Sequence, residues 1–99
     1  MTRQVTLTVN NNPVQLDFYV GEVVYHITAG IVGSLQNTGD IKDLELTADS
    51  GRVTIVLNGE GVSLKEFPML IITSILEGMV KPLKGATSPV KRVVITIRQ

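Results

Sequence analysis

The sequence contains no cysteine and no tryptophan among its 99 residues. The absence of cysteine excludes disulfides and thiol nucleophiles, so the fold has to be held together by its core. A chain of this length buries roughly 65% of the surface that its unfolded form exposes, which suffices for one compact domain. With 43% apolar residues, the composition is that of an ordinary globular protein. We therefore expect one cytoplasmic domain spanning residues 1–99, since disulfides do not persist in a reducing compartment.

Aromatic residues are scarce, and long apolar runs are missing. The four aromatics, Phe18, Tyr19, Tyr25 and Phe67, stand at the starts or flanks of predicted helices. No strand therefore carries the row of aromatic side chains on which a single-stranded nucleic acid would stack. The most apolar stretch, residues 67–80, is interrupted by polar residues and is shorter than the about 20 residues that cross a bilayer. We expect no membrane partner.

The chain has a net charge of zero, yet its two halves differ strongly in their own net charge. Residues 1–49 contain two basic and six acidic residues, whereas residues 50–99 contain seven basic and three acidic ones. Such asymmetry favours head-to-tail association or an anionic partner. The interpretation that we prefer is that two fused copies diverged to complementary charge, which improves the docking of one half on the other.

What the sequence does contain is an internal repeat. Residues 5–35 align with residues 53–83 at a constant offset of 48, and the last strand of each copy aligns at an offset of 49. Nine of 31 positions are identical, and most other core positions exchange one aliphatic residue for another. The identical residues of the first copy are Val5, Thr6, Asn10, Val14, Leu16, Ile27, Gly30, Val32 and Leu35. We predict two repeats, at approximately residues 4–48 and 52–98, that share one core because one copy alone is too small.

Each repeat predicts a strand, a tight turn, a short strand, a helix and a final strand. Asn10 and Asn58 begin the turns, because asparagine tolerates positive φ. Asp17 is the expected N-cap of a helix over residues 18–36. The second helix is expected to begin near Lys65 or Glu66, with a capping box from Ser63 to Glu66 as the second choice, and to end by residue 81 before Pro82.

The helices are expected to face the core with apolar stripes at residues 20, 23, 24, 27, 31 and 35 and at residues 71, 72, 75, 79 and 83. A glycine occurs at matching positions of both helices, Gly30 and Gly78, at a cost of about 1 kcal/mol each relative to alanine. We predict that the helices cross closely at these two residues.

The fold class that follows is α+β, a two-layer sandwich of the form (β-β-α-β)×2 in which two helices pack on a mainly antiparallel sheet. A ferredoxin-like βαββαβ sheet results if residues 14–16 are too short to act as a full strand. In a further alternative, each copy holds its own sheet.

Candidate chemistry is sparse. Glu22, Tyr25 and His26 share one face of the first helix and offer groups for a small enzyme or ligand-binding protein, but a metal would need a third ligand from elsewhere. The acidic residues of 40–49 lack the order of a calcium loop and indicate a solvated face. We predict no catalytic residue, no metal site and no cofactor.

The basic residues of the second half offer an alternative function. Lys81, Lys84, Lys91 and Arg92 form a cluster that is able to contact phosphates, which would make the protein an electrostatic nucleic-acid binder. The scarcity of aromatics argues against this function, and nucleic acid is not the expected partner.

The difference between the two helices is the better indication of function. At the positions where the first helix has polar or small residues, the second has Met69, Leu70 and Leu76. These three residues are the predicted interface. The leading hypothesis is a non-enzymatic protein–protein interaction or assembly module, either a homo-oligomer or bound to another protein.

Overall fold

In the computed structural model, which describes residues 3–35, 40–87 and 89–99, each half of the chain contains three strands and one helix. The first half comprises β1 (Gln4–Val9), β2 (Asn12–Val14), α1 (Phe18–Leu35) and β3 (Asp43–Asp49). The second half comprises β4 (Arg52–Leu57), β5 (Glu60–Val62), α2 (Glu66–Val80) and β6 (Arg92–Arg98). The predicted order of strand, strand, helix and strand is present in both halves.

All six strands belong to one antiparallel sheet with the order β2-β1-β6-β3-β4-β5, and both helices cover the same face. This confirms the α+β class. The alternative with one sheet per half is wrong, because β6 pairs with β1 on one side and with β3 on the other. The ferredoxin-like alternative is not confirmed, since β2 pairs with β1 and β5 pairs with β4.

Three hairpins connect the strands through loops of two residues each. The loop residues are Asn10 and Asn11, Ser50 and Gly51, and Asn58 and Gly59, and all six have positive φ angles between 50° and 86°. Positive φ at both central residues defines the type I′ turn, whose twist matches that of paired strands. Asparagine and glycine occupy five of the six positions because they adopt this conformation at the lowest cost.

The core lies between the sheet and the two helices. The four long strands, β1, β3, β4 and β6, alternate between inward-facing and outward-facing residues, with Leu7, Leu44, Leu46, Ile95 and Ile97 at most 2% exposed. The opposite face of the sheet is uncovered and rich in threonine, and two of its hydroxyls, those of Thr6 and Thr96, hydrogen-bond to each other across β1 and β6. An antiparallel sheet with one dry and one wet face shows this alternation.

The core stripe of each helix is only partly as predicted. In α1, Val24 and Ile31 are buried as predicted, but Thr28 and Val32, which the predicted stripe left out, are buried as well. In α2 the buried residues are Ile72, Leu76 and Val80, whereas Ile71 and Ile75 of the predicted stripe are 45% and 39% exposed. The offset of 48 explains the difference, because Val24, Thr28 and Val32 occupy the same positions in α1 and are also buried. The predicted stripe of α2 repeated that of α1 and left out Leu76 and Val80, because apolar residues extend around α2 beyond the side that the sheet covers.

The helix ends follow the sequence signals. The Asp17 carboxylate accepts a hydrogen bond of 2.8 Å from the Val20 amide, which makes Asp17 the predicted N-cap of α1. The predicted last residue, Gln36, lies outside the described residues. Lys65 precedes α2 without a side-chain cap, so the capping box from Ser63 is not formed. α2 ends at Val80, two residues before Pro82, as predicted.

Asn10 and Asn58 do more than form turns. The Asn58 side chain accepts hydrogen bonds from the amides of Lys42 and Asp43 and donates one to the carbonyl of Asp40. In the same way, Asn10 accepts from the amides of Lys91 and Arg92 and donates to the carbonyl of Pro89. Each asparagine therefore ties a hairpin to the segment that leads into a central strand.

Candidate functional site: the helix layer

Large apolar side chains are uncovered on the outer side of the helices. Four of them belong to α2: Phe67 is 70% exposed, Leu70 57%, Ile71 45% and Ile75 39%. These four residues are called the α2 patch below. They follow the helical spacing of one face, the one turned away from the sheet. The patch contains no charged residue.

A shallow groove of about 280 Å³ continues the α2 patch toward α1. Its α1 side consists of Ile31, Ser34 and Leu35, and its α2 side includes Phe67 and Pro68. The end of α1 and the beginning of α2 therefore form a single uncharged surface. At the other end of α1, Phe18 and Tyr19 are 86% and 74% exposed.

The structure separates the three residues of the predicted interface. Leu70 lies within the α2 patch, and Met69 is partly buried against the core. Leu76 is 0% exposed and packs in the core, so it is not a surface residue. Its counterpart Thr28 is equally buried, which shows that the contrast between the helices at this position concerns the core.

The predicted close crossing of the helices at Gly30 and Gly78 is wrong. Both glycines are exposed, and a Cβ atom added to either would have no neighbouring atom within 4 Å. The buried stripe of each helix faces the sheet, so the glycine positions are turned outward. No contact among the described residues explains why glycine occupies them.

Glu22, Tyr25 and His26 lie close together, and they contact one another and Arg3. The Arg3 guanidinium forms an ion pair of 2.7 Å with Glu22 and lies 3.7 Å from the centre of the Tyr25 ring. The His26 ring packs edge-on against Tyr25 and is 3.7 Å from the Glu22 carboxylate. The Tyr25 hydroxyl accepts a hydrogen bond of 3.4 Å from Gln99. The cluster joins α1 to the ends of β1 and β6, and its carboxylate is already neutralised by Arg3.

The basic residues are divided between two elements. Lys81 and Lys84 follow the end of α2, whereas Lys91 and Arg92 stand at the start of β6. Arg92 lies opposite Asp49 in the pairing of β3 with β6, which places an acidic side chain beside it. The four aromatic side chains that could stack on bases belong to the helices, and none of them is on a strand.

The opposite charges of the two halves meet at the centre of the sheet. Asp43 and Asp49 end β3, and they lie opposite Arg98 and Arg92 of β6. The Arg98 side chain contacts Asp43 at 3.1 Å. Charge complementarity between the halves is thus located where the two central strands pair.

Within the described part of the chain, no group of three or more possible metal ligands lies close enough together to hold an ion.

α1 has the length and the apolar composition of a membrane-crossing helix. Four of its residues pack into this core: Val24, Thr28, Ile31 and Val32. Length and composition do not distinguish a membrane helix from the core helix of a globular domain.

Comparison of the chain with models of protein families, with curated proteins and with solved structures finds no match. The functional argument therefore rests on the molecule's own surfaces. Among these, the α2 patch is the least compatible with exposure to water.

Proposed function

We propose that the protein is a non-enzymatic assembly module that self-associates through the α2 patch. The observation that carries this proposal is the exposure of four large apolar side chains, between 39% and 70%, on one uncharged helix face. At about 150 to 200 Å² for each fully exposed side chain, the patch leaves roughly 300 to 450 Å² of apolar surface open to water. A patch of this size on a monomer is often functional.

The size of the patch fits one side of a dimer. A standard interface buries about 800 Å² per partner, of which a little more than half is apolar. The α2 patch supplies the apolar centre of such an interface, and the polar residues at both ends of α2 supply its rim. Because the patch is uncharged, it does not select a partner of opposite charge. A second copy of the chain meets these requirements through a twofold interface.

The edges of the sheet are unsuited to association. β2 and β5 are three residues long, and they contain Pro13 and Gly61, which weaken strand pairing. The outer face of the sheet carries threonines that are compatible with water. Among the described large apolar residues on this face, Val56 alone is strongly exposed, at 42%.

We also propose that the chain arose by duplication of a strand–strand–helix–strand unit. The nine identities at a constant offset support this origin. If β1 is exchanged with β4, β2 with β5 and β3 with β6, the result is the same strand order read from the other edge of the sheet. In addition, β1 runs antiparallel to its counterpart β4. The matching hydrogen bonds of Asn10 and Asn58 give further support, because they tie equivalent segments.

Sedimentation velocity over a range of protein concentrations tests self-association. Ile71→Glu places a charge in the centre of the α2 patch and is expected to shift the protein to the monomer. Val56→Glu is the matched control, since Val56 is 42% exposed and Ile71 45%, on opposite faces of the molecule. A wild-type chain that remains monomeric at every concentration, or equal effects of both variants, would overturn the proposal.

A further inference from the structure

The two halves differ at one place in a way that opens a cleft. A cleft of about 300 Å³ lies between α2 and the end of the sheet formed by the β3–β4 hairpin and the start of β6. Its walls include Ser50, Gly51, Thr73, Glu77 and Lys91. Its floor is apolar and is formed by Ala48, Leu76, Val90 and Val93.

In the first half, the corresponding place is filled. Tyr25 occupies the position that matches Thr73, and Arg3 and Gln99 match Gly51 and Ser50. Arg3 stacks on the Tyr25 ring, and Gln99 donates hydrogen bonds to the Tyr25 hydroxyl and, at 2.6 Å, to the carbonyl of Ile41. Three large, interlocked side chains thus close the first half, whereas three of the smallest residues leave the second half open.

The open cleft has also acquired a charge. Glu77 stands where the first half has Ala29, and Lys91, which directly precedes β6, lines the same cleft. Among the described residues, neither side chain forms an ion pair. The cleft is therefore lined by one acidic and one basic residue, together with Ser50, Thr73 and the apolar residues of its floor.

We propose that this cleft binds a small zwitterion, namely an α-amino acid with a short aliphatic side chain. The ligand's ammonium group would bind Glu77, its carboxylate would bind Lys91, and its side chain would lie on Val90, the floor residue that is only partly buried. The volume of about 300 Å³ is at the lower end of ligand pockets and suits a small molecule. The absence of aromatic side chains from the lining gives no surface for stacking a base or ring.

The experiment is an NMR titration of the full chain with L-valine, compared with isovalerate and isobutylamine, which each carry one of its two charges. We expect shift changes around Thr73, Leu76 and Lys91 for L-valine, and binding at least about tenfold weaker for either analogue, since each loses a charge-assisted contact. Glu77→Gln and Lys91→Met, both on exposed residues, are expected to weaken binding to a similar extent.

Thr73→Tyr tests whether an open cleft is needed for binding. It gives the second half a tyrosine at the position where Tyr25 fills the corresponding place in the first half. It is expected to abolish the response to L-valine, while Thr54→Tyr, the same change on the outer face of the sheet, leaves it intact. Absence of saturable shifts with L-valine would overturn the proposal, as would equal binding of the single-charge analogues. Self-association is measured separately by sedimentation, so either proposal is able to fail alone.

Discussion

Individual side chains decide how the hairpins of this protein are attached to its central strands. Asn58 is the clearest case, because one side chain makes three hydrogen bonds to the backbone of residues 40–43 and also has a φ of 50°. These three hydrogen bonds are exposed, so the backbone groups would bind water if the side chain were lost, and each bond contributes a net of about 0.5 to 1.5 kcal/mol.

Asn58→Gly is predicted to lower the free energy of unfolding by about 1 to 3 kcal/mol. Glycine keeps the positive φ without strain, so the loss reports the side-chain hydrogen bonds alone. Asn11→Gly is the control, since Asn11 also has a positive φ, of 67°, and is exposed in a type I′ turn. Urea denaturation measures both variants, and equal effects would show that the Asn58 hydrogen bonds do not stabilise the fold.

A second residue-scale prediction concerns Thr28, which is 0% exposed and whose hydroxyl has no hydrogen-bond partner among the described residues. Thr28→Val replaces the hydroxyl with a methyl group of similar size and is expected to raise stability by about 1 kcal/mol. Thr73→Val serves as the comparison, because the Thr73 hydroxyl donates a hydrogen bond to the carbonyl of Met69 at 2.8 Å. Thermal unfolding that shows no gain for Thr28→Val would contradict this reading of the core.

Among the elements, the two helices begin differently. Asp17 caps α1, whereas the equivalent residue of the second half, Lys65, puts a positive charge at the positive end of the α2 dipole and caps nothing. Lys65→Asp is therefore predicted to stabilise the protein by about 0.5 to 2 kcal/mol. Lys65→Ala removes the charge without adding a cap and should give a smaller gain. If chemical denaturation gives the two variants the same free energy of unfolding, the carboxylate does not cap α2.

The sequence was sufficient to predict the order and class of the elements, because strand alternation, turn asparagines and helix signals are local. It failed for the inward face of α2, since Ile71 and Ile75 are as apolar as the buried Ile72. Only tertiary packing decides which side of such a helix meets the sheet. The cleft beside Thr73 was also beyond reach, because it depends on residues 50, 73 and 91 meeting in space.

For the whole molecule, the pairing of the central strands joins the two halves in one sheet. Ile95 of β6 pairs with Leu7 of β1 on one side and with Leu46 of β3 on the other. Ile95→Ala is predicted to cost about 2 to 5 kcal/mol and to destabilise both halves together. Both tyrosines belong to α1, so tyrosine fluorescence reports mainly on the surroundings of α1, while far-UV circular dichroism reports the whole chain. Separate transitions by the two probes would show that the halves unfold independently.

The two broad faces of the molecule differ, and self-association is proposed to use the face that carries the helices. The molecule is a slab of 35 × 33 × 18 Å, with the α2 patch on one broad face and the threonine-rich sheet surface on the other. Since the chain has no cysteine, a single introduced cysteine carries a spin label without competition. Labels at Ser74→Cys report on the helix face, and labels at Thr54→Cys report on the sheet face.

Pulsed dipolar spectroscopy on these two variants tests self-association through the helix layer most directly. Helix layers packed face to face predict a distance between Ser74 labels well below about 36 Å, twice the 18 Å thickness of one copy, and a distance between Thr54 labels of about 36 Å or more. A shorter distance between Thr54 labels than between Ser74 labels, or no intermolecular distance for either, would contradict the account.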